Sequence, residues 1–540
     1  MRFAISALAL LFTLWPNHFA IATDERLIDL VARIDQHIAA RLVKEGVEPA
    51  PIVDDGEFVR RVTLDLAGRI PTVAELDAYL RSENADRKLQ LVQRLLDSPD
   101  FVFQQRDQLD ILLLQRDEYN DRWREYLLEA TRENRPWDQL FRETMLPEEY
   151  AATDTRPVAF LKRRTNDLDA MTNDSSVLWF GVNISCAKCH DHPLVEDWTQ
   201  AHYYGMAAFF KRTFQTRKGF LGERYDGVPK YTDIDGKEHE AELMFLTGQK
   251  LELPPTEAEG DALKKLQEQI KKAEQDDKAD DPPRPVFRPR AKLVETALSE
   301  TEQRYFARNI TNRLWARFFG RGLVHPLDQM HSHNPPSHPE LLDELTAELI
   351  RSGYDLRRLI QAIVLTNSYA QSVRHTAAST LAPEWFAMAV PRALTPRQLS
   401  LSLRIAGANP TKLTGLQGED WTTKREQLER QSDGQARQLA IPDEDFQVPV
   451  TEALWFSNNN WIETDLLNGS GDRIIGFLKE LTDDHQAVQA ATRCVLSREA
   501  TEEELKTMVE YLASRGDRRE SALKQVVWAL VSSPEFRFNH

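Results

Sequence analysis

Apolar residues at every fourth position make this a helical chain. Phe306, Ile310, Leu314 and Phe318 fall on one stripe of a helix that Gly320 can end, and Leu341, Leu342, Leu345 and Leu349 repeat the pattern before Gly353. A 3.6-residue period puts such residues on one face, which must be buried against another element. Helix starts are written as capping boxes: Thr72-x-x-Glu75 after Pro71, then Ser299-x-x-Glu302 and Ser337-x-x-Glu340. In that pattern a hydroxyl and a carboxylate each satisfy a backbone N–H that the first turn leaves open. At 540 residues and 41% hydrophobic content, the chain has apolar mass for more than one core, and disorder throughout is excluded. The expectation is a mainly α fold, two helical domains with a small β insertion around residues 219–250.

Glycines at 219, 222, 227, 236 and 248 mark the insertion by punctuating short segments such as residues 242–247. A charged helix near 256–275 follows, then an acidic, proline-rich stretch at 276–289 that reads as an exposed linker. The expected division is a first domain at 23–250, the charged helix and linker at 251–290, and a second domain at 291–540. A polar stretch near 415–445 reads as a long surface excursion. One unit recurs. Arg69-Ile-Pro-Thr72-Val-Ala-Glu75 leads to Ser98-Pro99-Asp100-Phe101, and Arg498-Glu-Ala-Thr501-Glu-Glu-Glu504 leads to Ser533-Pro534-Glu535-Phe536. Both read as a capped helical hairpin ending in a Ser-Pro stop, a scaffolding unit without the fixed period of a solenoid.

The first residues read as an address. Arg2, the apolar run from Phe3 to Trp15, and Ala20-Ile21-Ala22 have the order of a signal peptide at 1–22, with the mature chain starting at Thr23. The apolar run is shorter than the ~20 residues a membrane span needs. An exported, periplasmic or otherwise extracytoplasmic protein with no membrane span after cleavage is therefore expected. The 68 basic against 85 acidic residues give a net charge of −17, which argues against a nucleic-acid partner held by bulk charge.

Export makes the cysteines informative. Three of them cannot staple a chain of this length. Cys186-Ala-Lys-Cys189-His190 has the spacing of covalent c-type haem attachment. Two thiols one turn apart can add to the vinyl groups on one porphyrin edge, and the adjacent His190 can ligate the iron as proximal ligand. Zinc is the alternative cofactor, since Cys186, Cys189, His190 and His192 offer four donors, although His190 and His192 would be strained in one tetrahedron. A Cys186–Cys189 disulfide is a third reading, short and strained. Asp191-His192-Pro193 reads as a helix start, which would put Val195, Trp198, His202, Met206 and Phe209 on one face. His202 or Met206 could then be the sixth iron ligand, with Met171 a further candidate; each is also an ordinary core residue at such a place.

A second cluster, His325, His331, His333 and His338 with Asp328, lies in a proline-rich loop and could bind a transition metal or line a haem edge. Cys494, in a helical apolar context, reads as a buried spectator. No G-x-S-x-G elbow, H-E-x-x-H, P-loop or dinucleotide fingerprint is present.

These residues resemble a known pair of domains. The run from Arg61 to Thr72 (RVTLDLAGRIPT) and that from Cys186 to Pro193, followed by Trp198 and Tyr203 to Phe210, resemble the planctomycete cytochrome-like domain. The segments from Asn309 to Leu323, Asn334 to Leu342 and Trp528 to His540 are similar to its usual partner, a planctomycete-specific domain. Both are domains of unknown function. The resemblance implies an exported protein working beside c-type cytochromes, without naming a reaction. A single haem moves one electron at a time, so electron transfer to or from a separate cytochrome or periplasmic dehydrogenase fits better than a stand-alone enzyme. The alternatives are a non-redox scaffold or interaction protein with a zinc Cys/His knot, and a metal-dependent hydrolase using the His325–His338 loop.

Overall fold

The computed structural model describes residues 24–114, 120–193, 195–376, 381–439, 441–442 and 449–540; the leader expected at 1–22 lies outside them. The chain is mainly α. Strands occur only as short antiparallel pairs among the described residues. Three of these pairs form the β insertion: Thr213–Gln215 with Leu221–Glu223, Lys230–Thr232 with Glu238–Glu240, and Leu243–Met244 with Lys250–Leu251. Gly222 stands opposite Phe214, and a Cβ there would meet the Phe214 ring at 2.8 Å. The fourth pair, Arg392–Ala393 with Phe538–Asn539, ties the end of the chain to its middle.

The stripe of Phe306, Ile310, Leu314 and Phe318 is buried in the helix Tyr305–Phe319, and Gly320 ends it at φ +78°. At that φ an L side chain is strained and glycine is not. Thr72 and Glu75 form the expected capping box ahead of Val73–Leu80. The other two boxes do not form. Ser299 is the last residue of the helix Pro289–Ser299, and the Glu300 carboxylate instead accepts the N–H groups of Glu302, Gln303 and Arg304 (2.5–2.8 Å). Ser337 falls one residue early: Pro339, whose φ suits a first turn, opens its helix with His338 as the cap residue.

Two large apolar cores result, with a small third cluster of Phe214, Tyr225 and Ile270 under the β insertion. One takes in residues from Leu27 to Ala387, the other residues from Leu394 to Phe536 together with Leu64 and Ile70. At the centre of the first, Trp137, Phe141, Trp179 and Phe306 stack with ring centroids 4.7–6.3 Å apart. Helices on both sides of the charged segment 251–290 thus feed one interior. The helix Gly260–Gln275 itself buries only Ile270 and Ala273.

The described part of the stretch near 415–445 is not a surface excursion. It contains a helix, Gly418–Ala436, whose inward residues are Arg425, Leu428, Glu429, Ser432 and Ala436. The hydrophobic period missed it because three of these five buried residues are polar or charged. Arg425 pairs with Asp100 and Glu429 (2.7 Å each), and Glu429 also holds Arg397 (2.7 Å) and Arg106. Arg106 and Arg124 close on Asp107, and Arg124 on Asp110 (2.6–2.8 Å). Burial alone would raise the Asp107 carboxyl; the guanidiniums of Arg106, Arg397 and Arg124 hold it well below its usual range.

The recurring hairpins share their geometry. Arg69 grips Glu75 through two nitrogens (2.8 and 2.9 Å) and Asp100 (2.9 Å); Arg498 grips Glu504 (2.8 and 2.9 Å) and Glu535 (2.6 Å). Gly68 at φ +70° and Ser497 at φ +62° make the same left-handed turn before them. The motif around Arg61 and the chain end also touch. Arg61 donates to the His540 carbonyl (3.0 Å), and Asp65 accepts from Arg392 (2.8 Å), Tyr369 (2.7 Å) and Asn539 (3.0 Å). Such pairing is what allows these charges to be buried.

Candidate functional site

The Cys–His segment starts where the helix Leu168–Phe180 stops at Gly181 (φ +70°). A Cβ on Gly181 would meet Asn309 Oδ1 at 2.8 Å, so the close approach of the two segments needs glycine. Backbone bonds then tie this strand of chain to the histidine-rich loop: Met330 N–H to the Gly181 carbonyl (3.0 Å) and Asn183 N–H to the Asp328 carbonyl (2.8 Å). Ser185–Lys188 makes one 3-10 turn, with Ala187 fully buried as its plug. Cys186 and Cys189 are exposed free thiols on the outside of that turn. Lys188 pairs with Asp169, which also accepts from the Tyr203 hydroxyl, and Gln200 Nε2 donates to the Lys188 carbonyl (3.3 Å). The turn is therefore held from both sides while its thiols face solvent.

His190 is exposed, and its Nδ1 lies 2.7 Å from the Asp191 carbonyl oxygen. A carbonyl only accepts, so Nδ1 carries the proton and Nε2 keeps its lone pair for a metal. Asp191 in turn accepts the Gln200 N–H (2.8 Å), and the His192 N–H closes a loop on the Trp198 carbonyl (2.8 Å). A helix starting at Pro193 is thereby overturned. The helix is Gln200–Phe210, and Val195 and Trp198 are buried in the loop before it. His202 Nδ1 accepts from the Thr199 N–H (3.3 Å) and lies 2.9 Å from the Thr199 hydroxyl. The imidazole replaces the usual carboxylate of the capping box, so its lone pair is engaged, and its Nε2 faces Gly248, 3.5 Å from where a Cβ would stand. Burial pushes the His202 ring below its ordinary pKa. Met206 and Met171 are buried in the core.

Beside His190 runs a groove of about 610 Å³. His190, Asp191, Thr199, Gln200 and Ala201 form one wall; Tyr231, Asp233, Ile234, Asp235 and His239 of the β insertion form the other. The far wall is ordered by stacking: Tyr204 on Tyr231 (4.2 Å, 5°) and Tyr231 on His239 (5.2 Å, 22°). His239 Nε2 bonds Asp233 Oδ2 at 2.6 Å, and Asp233 also accepts the N–H groups of Asp235 (3.0 Å) and Lys237 (2.9 Å). These bonds, that of His239 first, hold the Asp233 carboxyl below its usual range. His239 and Asp233 escaped the sequence reading. Their only signal is a lone His in the strand Glu238–Glu240 opposite Tyr231.

The second histidine cluster is drawn toward the first. Asp197, in the loop after His192, accepts the Ser332 N–H (2.8 Å) and hydroxyl (2.6 Å), and the rings of His331 and His333 lie 6.5 Å apart. Burial lowers the His331 pKa; Asp197 opposes this, while His192 and His333 add to it. His338 goes elsewhere. It is buried against Phe386 (5.5 Å), and burial, with the charges of Arg41 and His37, pushes it down to about 4. Among the described residues no three His, Cys, Asp or Glu side chains converge closely enough to hold a metal ion. Cys494 is buried, and desolvation pushes its thiol up to about 12. Among the described residues no helix is long and apolar enough to cross a membrane.

Residues 33–215 match the family PSCyt2, described as a protein of unknown function (DUF1549), and residues 289–450 match PSD1, likewise a protein of unknown function (DUF1553). The first span holds the Cys–His segment, and the His239 wall of the groove lies between the two spans. No curated protein and no solved structure matches the chain.

Proposed function

We propose that this chain is an exported c-type haem protein that carries electrons to or from a separate periplasmic oxidoreductase or cytochrome. Cys186 and Cys189 would form the two thioethers and His190 the proximal bond. The observation that carries this reading is the presentation of His190: its Nδ1 proton is tied to the Asp191 carbonyl, so Nε2 is the nitrogen left for iron. The donors suit the group in other ways. Both thiols are exposed and free on a single turn, and a groove of about 610 Å³ opens beside the imidazole. When bound, haem supplies reversible one-electron exchange at its iron.

This chain's own residues hold the attachment segment still. Ala187 anchors the turn in the core, the Lys188–Asp169 pair pins its end, and Asp191 fixes the start of the helix Gln200–Phe210 behind it. The resemblance to planctomycete cytochrome-like domains and the apolar leader at 1–22 support export and a redox role. The net charge of −17 favours a partner with a basic docking face. A zinc knot would need Cys186, Cys189, His190 and His192 to converge, which the described geometry does not favour.

The test is an absorption spectrum of the full chain produced in a host with a c-type maturation system, followed by haem staining of a denaturing gel. A Soret band and stain that survive denaturation, both lost in Cys186→Ala/Cys189→Ala, are expected. A colourless protein from cells in which a control cytochrome matures would overturn the proposal.

A further inference from the structure

We propose that the free edge of the strand Leu221–Glu223 is a docking site for an extended acidic segment of a partner protein, which adds there as a further strand. This inference does not rest on the haem reading. The strands Thr213–Gln215 and Leu221–Glu223 pair only with each other among the described residues. Their register decides which backbone groups are used. Bonds from the Arg224 N–H to the Arg212 carbonyl and from the Thr216 N–H to the Phe220 carbonyl (2.8 Å each) mark alternate pairs as the bonded ones. In an antiparallel ladder the residues between them, Leu221 and Glu223, turn their N–H and C=O groups away from the paired strand. Among the described residues nothing bonds those backbone groups.

That edge borders a cleft of about 480 Å³. Phe220, Leu221, Gly222 and Glu223 all line it, although successive residues of a strand face opposite sides; a cleft that runs along the edge meets all of them. Gly222 lets the Phe214 ring lie across the strand, since a Cβ there would stand 2.8 Å from it, and that ring lines the cleft too. With Phe220 and Val158 it offers apolar contact to one face of an added strand. The mouth is basic in a chain of net charge −17. Arg122, Lys162, Lys218 and Arg284 line it, and among the described residues only Lys218 pairs with a carboxylate, Asp281 at 3.5 Å. Arg122 is held in place by the Thr155 hydroxyl (2.8 Å), and Lys162 Nζ lies 3.4 Å from where a Gly219 Cβ would stand, beside the turn of the hairpin. The carboxylates of the floor are already compensated. Glu148 accepts from two nitrogens of the Arg290 guanidinium (2.9 and 3.2 Å), and Glu223 accepts the Arg290 N–H (3.1 Å). Burial raises the Glu223 pKa, with the Arg290 charge opposing. The unpaired edge supplies main-chain bonds to an extended peptide, and the uncompensated cations select an acidic one.

The experiment is fluorescence anisotropy of the full chain with a fluorescein-labelled hexapeptide that alternates glutamate and valine. Two matched peptides are the controls: one with lysine in place of glutamate, and one N-methylated at alternate amides, which keeps the charges and loses main-chain donors. Expected are saturable binding of the acidic peptide that weakens as salt is raised, and no binding of either control. Lys162→Glu/Arg284→Glu, both at exposed positions, should weaken binding about tenfold or more, with far-UV circular dichroism checking that the variant is folded. No saturable binding of the acidic peptide would overturn the proposal. So would equal binding of the N-methylated peptide, which would show ionic adhesion without strand addition, or a folded double variant that binds as the wild type does, which would place the contact elsewhere.

Discussion

The two recurring hairpins offer a matched pair in which burial is the variable. Arg69 and Arg498 make the same bonds to a capping-box glutamate and to the acid after a Ser-Pro stop. Their surroundings differ: the side chains of Arg69 and Asp100 are each 1% exposed, those of Arg498 and Glu535 29% and 27%. Removing one partner of a buried pair leaves a charge without compensation and typically costs 3–5 kcal/mol, roughly, whereas an exposed pair is worth about 1 kcal/mol or less. In Arg69→Leu, Asp100 keeps Arg425 (2.7 Å) and the Trp421 indole N–H (2.8 Å), so the low end applies, about 3 kcal/mol. Arg498→Leu should cost about 1 kcal/mol. Urea unfolding followed by far-UV circular dichroism and tryptophan fluorescence measures both. Acid adds a second signature. Burial raises Glu75, but the charge and bonds of Arg69 bring it down from 4.5 to about 2. A depressed carboxyl contributes stability that is present above its unfolded pKa and lost as pH falls toward the folded one. Arg69→Leu should flatten that loss. An Arg498→Leu protein as destabilised as Arg69→Leu, or more so, would refute the argument from burial.

Ser497 is buried at φ +62° with a hydroxyl that has no hydrogen-bond partner, so Ser497→Gly should stabilise the chain by about 1 kcal/mol, read as a higher urea midpoint. At the equivalent turn Gly68→Ala should destabilise by at least that much, because a Cβ would meet Gln104 Oε1 at 2.5 Å. His338 is held at about 4 against an ordinary 6.5, so the unfolded chain takes up the proton first as pH falls. Stability should decline from pH 6.5 to pH 4 by up to about 3 kcal/mol, and His338→Gln should remove that part of the slope in unfolding measured across the range. Among the thiols of the haem-free chain, Cys186 and Cys189 should label with a maleimide at once and Cys494 only on unfolding, which mass spectrometry of the labelled peptides resolves.

What was legible in the sequence was local. The stripe from Phe306 to Phe318, the stop at Gly320, the Thr72–Glu75 box and the β texture around residues 219–250 are visible because they depend on residues a few positions apart. The boxes at Ser299 and Ser337 misled for an equally local reason. The same letters can end one helix, or yield to a proline one position on, and the motif does not say which. The helix Gly418–Ala436 was invisible because its inward Arg425 and Glu429 look like solvent-facing residues until Asp100, Arg397 and Arg106 are brought up against them.

The candidate site divides the same way. The sequence by itself determined the spacing of Cys186, Cys189 and His190, since all three fall within five consecutive residues. Only the tertiary structure decided that the His190 imidazole turns its Nδ1 to a carbonyl, that His202 closes a helix, and that Met206 lies in the core. It alone set His239 and Asp233 across a groove from His190, some fifty residues on, and brought the His331–His333 loop to Asp197. The physical reason is range. A turn's geometry is fixed by bonds between neighbours, whereas the facing wall of a groove is chosen by packing between segments whose separation along the chain carries no record of their meeting.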